Sequence, residues 1–494
     1  MKIRILTVLL GIGVFLAPAL SQADTSSPAR QAVARLSLTP YTLEGLEEEV
    51  LCGTLEVFEN RSTRAGRKIA LNVVVVPSLI ATPTDAPLFF FEGGPGVAAT
   101  DAVWMFVEDS SFRRTRDVVL VDIRGTGKSS PLHCDLLGDP LDLQNYLNDM
   151  YPDALVAACR EQLDSIADLT QYTTPIVVED LEDVRRWLGY DRIDVMGLSY
   201  GTRLALTYMR MHPGQIRSAV LIGPLAPSVR VPSLHAAAGQ RALDLVISDC
   251  ESDTACNRAF PRLREDLASL NQSFGNEGVS VTMRHPVTDA EVALRIRREI
   301  FFERIRSKMY MITGAREVPW IITRAAQGDF APFMELIIPK DFSEPPWLAE
   351  GLYLSMTCAE DIPFIDTAAA RQSYENTYFG DYRVSQQINA ARHWPRGSLP
   401  PGYHEPFTSD VPTLIISGYY DPITPPSFAE EVHRLLPKSR LLSIPSMAHV
   451  PAGMTNYECI TDLITRFFQI GSVDSLDASC VETMQAPPFR LSDE

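Results

Sequence analysis

Gly197-Leu198-Ser199-Tyr200-Gly201 sets a serine between two glycines. A serine hydroxyl is a weak nucleophile until a base takes its proton and a third group orients that base. The pattern Gly-x-Ser-x-Gly is common by chance. Here a strand-like run, Arg192–Met196, precedes it and a helical pattern, Gly201–Met211, follows it. In that setting the serine stands on a sharp turn from strand to helix, where side chains beside it would clash and only glycines fit. The helix N-terminus behind the turn favours developing negative charge. Ser199 is therefore the expected nucleophile.

In an open α/β sheet the partners belong on loops at the carboxyl ends of later strands, the acid first and the histidine second. Asp421 follows the strand-like run Pro412–Ser417, and His449 follows Arg440–Ile444. They are the expected orienting acid and base. Asp410 is the rival acid, but it precedes its strand and so falls at the wrong end. Among the histidines, His212 reads as a cation at a helix end, His433 as a surface residue on an amphipathic helix, and His404 as a weaker rival. Glu92-Gly93-Gly94-Pro95-Gly96 follows the run LFFF. Glycines there let backbone N–H groups approach an oxyanion. Pro95 has no N–H, so Gly94 is the expected donor, with Gly93 as the alternative, and the N–H of Tyr200 is the second. Asp122-Ile123-Arg124-Gly125-Thr126-Gly127-Lys128-Ser129 lacks the spacing of a phosphate loop. Asp122 and Arg124 are expected to brace neighbouring loops.

The elements that must position these residues alternate along the chain. Leu71–Val76, Leu88–Phe91 and Val118–Asp122 are continuous apolar runs, the pattern of strands buried on both faces. Pro175–Leu188 has helical spacing, and Ala219–Ile222 reads as another strand. Strands alternating with helices imply a mainly parallel sheet. From about Pro224 to Tyr403 the chain reads as mostly helical, including Arg295–Arg306, Trp320–Ala326 and Trp347–Met356. The strand–helix alternation then resumes with Ser427–Leu436 and Asn456–Gln469 as helices. This is an α/β core split by a helical insertion.

The chain has 494 residues, 46% hydrophobic and 21% charged, a globular and not a disordered composition. With 44 Lys+Arg against 62 Asp+Glu, the formal net charge is -18, which disfavours nucleic acid and anionic lipid as partners. Lys2 and Arg4, the apolar run Ile5–Leu20 and Ser21-Gln22-Ala23 read as an export signal cleaved after Ala23. No other stretch is apolar enough to span a membrane. An exported chain with an even number of cysteines points to disulfides. Spacing suggests Cys250–Cys256, Cys459–Cys480 and Cys134–Cys159, and elimination leaves Cys52–Cys358, although spacing alone does not fix connectivity. No cysteine or histidine pairs stand at zinc-ligand spacing, so no metal is expected.

These motifs together resemble secreted peptidases of the α/β-hydrolase fold, of the prolyl aminopeptidase and tripeptidyl aminopeptidase (TAP-like) type. The resemblance rests on Gly93–Gly96, Asp122–Gly127, Gly197–Arg203, Asp421–Pro425 and His449. Cys52–Leu55, Thr357–Asp361 and Cys459 add to it. It covers nearly all of the mature chain. It implies a signal peptide over 1–23, core over 24–224 and 405–494, and a helical cap inserted over 225–404. It also implies a cofactor-free serine hydrolase that removes residues or short peptides from free N-termini. Such an enzyme needs acids to hold the substrate ammonium, because a buried cation must be paired. Glu360 and Asp361, in the matched cap stretch, are the candidates, and Glu92 is a third. Prolyl aminopeptidases usually carry His where this chain has Glu92, which weakens transfer of a strict prolyl specificity. The competing readings are an esterase using the same three residues and a binding protein on a hydrolase fold. Periplasm and external medium both suit the export signal.

Overall fold

Runs of β-branched and aromatic residues form the middle of a nine-stranded sheet. The computed structural model describes residues 37–43, 48–108, 110–343 and 346–492. The export signal expected over 1–23 lies outside the described residues. The strands are β1 (Thr39–Thr42), β2 (Glu49–Phe58), β3 (Lys68–Val76), β4 (Leu88–Phe91), β5 (Val118–Val121), β6 (Ile193–Leu198), β7 (Ile216–Ile222), β8 (Val279–Arg284), β9 (Glu291–Ile296), β10 (Thr413–Gly418) and β11 (Ser439–Ile444). Their order in the main sheet is β1-β2-β3-β5-β4-β6-β7-β10-β11. From β5 to β11 every neighbouring pair is parallel, while β1, β2 and β3 add an antiparallel flank.

Alternate residues of the central strands point to opposite faces. Val73, Val75, Phe89, Phe91, Val119 and Val121 belong to one apolar core. Val74, Val76, Phe90, Val118 and Leu120 belong to the other. Both faces are covered, which is why these strands are apolar throughout. From β4 the chain steps to β5 on one side and then returns to β6 on the other. That reversal opens a crevice at the carboxyl ends of β4 and β6, where open α/β sheets place their ligands.

The helices used below are α1 (Thr174–Trp187), α2 (Tyr200–Met211), α3 (His235–Ser252), α4 (Arg298–Lys308), α5 (Val318–Ala326), α6 (Glu350–Glu360), α7 (Tyr382–Ala391), α8 (Pro426–Leu435) and α9 (Glu458–Ile470). Helices α3 to α7 lie between β7 and β10. Among the described residues, no helix is long and apolar enough to cross a membrane.

Three expectations need correction. The stretch after Pro224 also contains a hairpin, β8–β9, so the helix expected over Arg295–Arg306 starts only at Arg298. Its strands alternate between exposed positions and half-buried or, at Leu294 and Ile296, buried ones, a period-two pattern hidden among polar residues. The helix expected over Trp347–Met356 runs instead over Glu350–Glu360. Cys134–Cys159, Cys250–Cys256 and Cys459–Cys480 are bonded, but Cys52 and Cys358 are not. Cys52 packs against one core and Cys358 lies within the other, so the sheet separates them.

Candidate active site

Ser199 stands between β6 and α2 with φ 54° and ψ -118°, a strained conformation for a residue with a side chain. The turn is held from both sides. Ser199 N–H donates to Ile222 O at 2.9 Å, and its carbonyl accepts from Thr202 N–H at 2.9 Å and Thr202 Oγ1 at 2.6 Å. Gly201 has no alternative, since a Cβ there would lie 2.0 Å from Phe91 O. That close approach packs α2 onto β4 and points the serine away from the sheet.

Asp421 and His449 leave the ends of β10 and β11 and meet. His449 Nδ1 donates to Asp421 Oδ2 at 2.7 Å. Asp421 is wholly buried and also accepts from the N–H groups of Ile423 and Thr424, each at 2.8 Å, and from Thr424 Oγ1 at 2.8 Å. Burial alone would raise its carboxyl, but the His449 ring and these donors hold it below the usual carboxylate range. An ionised Asp421 fixes the proton on Nδ1 and leaves Nε2 as an acceptor. His449 is held further by its backbone N–H, which donates to Tyr310 O at 3.0 Å, and its imidazole by the Tyr310 ring, edge-on at 5.3 Å. Gly223, next after the Ile222 that binds Ser199, passes beneath the imidazole. A Cβ there would lie 2.9 Å from His449 Cε1. Ser199 and His449 thus flank the end of β7 and line one cavity of about 1180 Å³.

The loop after β4 lies against the serine, with a Cβ on Gly93 falling 3.3 Å from Ser199 Cβ. Gly93 N–H is committed to Glu92 Oε1 at 2.8 Å. Gly94 has φ +108°, open only to glycine. Burial raises the Glu92 carboxyl, against the opposing pull of Gly93 N–H.

The rival residues are held elsewhere. Asp410 is exposed beside Lys438 at 4.0 Å. His212 caps α2 against Glu179 at 3.1 Å. His433 is exposed and bonds Ser439 Oγ at 2.7 Å. His404 bonds Glu360 O at 2.9 Å, and burial, aided by Arg230, pushes its ring down to about 4. Asp122 receives Thr100 N–H and Lys128 N–H, each at 3.0 Å, and Arg124 pairs with Asp180 at 2.6 Å, so both brace loops.

Glu360 and Asp361 line the cavity, but neither is surface charge beside a disulfide and both already have partners. Asp361 receives both terminal nitrogens of Arg203, each at 3.0 Å. Glu360 accepts from Thr174 N–H at 2.6 Å, Thr174 Oγ1 at 2.9 Å and Tyr403 OH at 2.6 Å. Tyr200 OH reaches the same Thr174 hydroxyl at 2.9 Å. Arg203 and Tyr200 lie on α2, so these acids tie the helix behind Ser199 to the inserted region.

Among the acids on the cavity wall that escaped sequence reasoning, Glu350 stands apart by its surroundings. Glu350, in the first turn of α6, has Tyr151 OH at 3.4 Å and no ion-pair partner among the described residues. Burial pushes its carboxyl up to about 7, against the pull of Arg383 and Tyr151. The preceding Ala349 N–H donates to Gly96 O at 2.9 Å, which ties this turn to the Gly94 loop. No motif surrounds Glu350, and its only sequence signal is an acid in a first helical turn.

A serine on a strand–turn–helix elbow, with a buried Asp–His pair on later strand ends of one parallel sheet, is the layout of a hydrolase of the α/β fold. Residues 86–297 match the α/β hydrolase fold family, and residues 376–480 match the family described as TAP-like protein. The tripeptidyl aminopeptidase of Streptomyces coelicolor is 22% identical over 88% of this chain and 84% of its own length. The proline iminopeptidase of Neisseria gonorrhoeae is 30% identical over 28% of this chain and 33% of its own. An esterase of Thermogutta terrifontis superposes with a TM-score of 0.39 at 14% identity, over 85% of this chain and 99% of its own. The chain has the α/β hydrolase fold, carries a TAP-like C-terminal region, and is homologous to the Streptomyces tripeptidyl aminopeptidases.

Proposed function

We propose that this protein is an exported aminopeptidase that works through an acyl-enzyme on Ser199. The observation that carries the reading is the Asp421–His449 pair beside the elbow serine, in a cavity walled by the inserted region between β7 and β10. His449 Nε2 takes the Ser199 proton as its oxygen attacks the peptide carbonyl, and later gives that proton to the leaving amine. Asp421 holds the imidazole and stabilises its charged form. The N–H groups of Gly94 and Tyr200 receive the oxyanion. Water then repeats the sequence on the acyl-enzyme.

The ammonium of the substrate needs an acid free to receive it. Asp361 is neutralised by Arg203, and Glu360 is filled by three donors. We assign the role to Glu350, which an arriving ammonium would ionise, with Glu92 on the loop after β4 as the second acid. The three bonded cysteine pairs support export, since such bonds persist in oxidising compartments. The test is hydrolysis of peptide amides of one to three residues, each with a free and an acetylated N-terminus, beside a short acyl ester. Cleavage confined to free N-termini is the expected result, and the preferred length reports the step size. Cleavage of the ester alone would move the protein to the esterases.

A further inference from the structure

We propose that the wall of this cavity formed by α4 and α7 holds an anion subsite that receives a carboxylate of the peptide. The proposal rests on the aminopeptidase reading and names a further property of its substrate. Helix α4 contributes Glu303, Arg304 and Arg306 to the cavity, α7 contributes Arg383, and His235 at the start of α3 lies beside them.

The charges there do not balance. Among the described residues, Glu303 is the only carboxylate that these guanidinium groups pair with. It accepts from Arg306 Nε at 3.0 Å and stands 3.4 Å from Arg383 Nη1. Among the described residues, Arg304 has only a carbonyl as hydrogen-bond partner, Tyr146 O at 3.3 Å. Arg306 is 2% exposed, yet among the described residues its Nη1 has no partner, and Nε of Arg383 has none either. His235 is 4% exposed with neither ring nitrogen bonded. Burial, with Arg306 and Arg383 adding to it, keeps that ring neutral, so it presents a donor without adding charge. Even with Glu350 ionised, three guanidinium groups face two carboxylates. Buried polar groups without partners are costly, and charged donors most of all. A planar carboxylate is the group that guanidinium donors favour, and it would offset the excess charge on this wall.

The position suits a peptide. The Arg306 guanidinium lies 5.7 Å from the centre of the Tyr310 ring, and that ring lies 5.3 Å from the His449 imidazole. One side chain thus separates the anion subsite from the base. Two sources share the chemistry: an Asp or Glu side chain of the substrate, and the C-terminal carboxylate of a short peptide.

The experiment compares matched peptides with free N-termini. In one arm each position in turn carries Glu or the isosteric Gln. In the other the C-terminus is a carboxylate or an amide. The subsite predicts that one arm shows kcat/KM at least tenfold higher for the carboxylate form. It also predicts that this ratio falls severalfold in Arg304→Gln and in the milder Arg306→Lys, and falls with added salt. Ratios near one in both arms, with peptides still cleaved, would overturn the subsite and leave the aminopeptidase reading standing. Should no peptide be cleaved, calorimetric binding to the Ser199→Ala protein decides separately. Tighter binding of the Glu than the Gln peptide, or of the C-terminal carboxylate than the amide, would keep the subsite and remove the peptidase, and equal binding in both arms would remove both.

Discussion

Replacing Glu350 by glutamine removes the charge and keeps the shape, so it isolates what the buried carboxyl costs. Its value is pushed from 4.5 up to about 7. A group raised in the native state binds more protons there than in the unfolded chain between those two values. Native stability therefore falls as pH rises from about 4.5 to about 7, and the loss is complete above that. Each unit corresponds to about 1.4 kcal/mol, so the penalty at pH 8 is about 3 kcal/mol. This is an upper bound, because the side chain is half-buried and cavity water screens it. In a chain of this size, 1 kcal/mol moves Tm by roughly 1 °C. Calorimetry should find wild type and Glu350→Gln melting together at pH 4.5, with the variant higher by up to about 3 °C at pH 8. A Tm difference that stays constant between those pH values would refute the raised carboxyl. The same variant should lose about 10- to 100-fold in kcat/KM on peptides with free N-termini, the worth of a charge-assisted contact. Its kcat/KM on the acetylated peptides, already poor substrates, should change far less. Equal losses on both would refute Glu350 as the ammonium partner.

Ser199→Ala should abolish turnover and labelling by a fluorophosphonate probe while leaving Tm and the circular dichroism spectrum unchanged. Asp421→Asn should lower kcat by about 10⁴-fold, since an amide no longer holds the proton on Nδ1; steady-state kinetics on the best peptide checks it. Gly201→Ala should cost about 3 kcal/mol or more, read as a lower Tm or loss of soluble protein, because its methyl would meet Phe91 O at 2.0 Å. The denatured, unreduced protein should titrate with two thiols, Cys52 and Cys358; none would mean that those cysteines are bonded after all.

Much of this arrangement could be read from the chain. LNVVVV, LFFF and VVLV are too uniformly apolar for anything but strands covered on both faces. The elbow was legible because a turn that sharp needs glycines at fixed offsets from the serine. The hairpin β8–β9 escaped because its alternation is partial and every second residue is exposed. The antiparallel strands β1 and β2 escaped as well. Apart from Val50 and Val57, the β2 positions are half-buried or exposed, so no apolar run announces it.

The placement of Ser199, Asp421 and His449 was determined by sequence alone, because each follows a strand directly and short-range geometry puts it at the same sheet edge. Three cysteine pairs followed from proximity along the chain in the same way. The charges obeyed no such rule. Glu360 and Asp361 are adjacent in sequence to each other and to nothing that binds them, yet Thr174, Tyr403 and Arg203 fill them. Glu350 stays open, and Arg304, Arg306 and Arg383 converge from two helices. Cys52 and Cys358 were paired on paper and lie on opposite sides of the sheet. Local geometry is written in neighbouring residues. Which charge meets which depends on distances that exist only once the chain has packed, and a carboxylate is spent or free according to what the fold brings within a few ångströms of it.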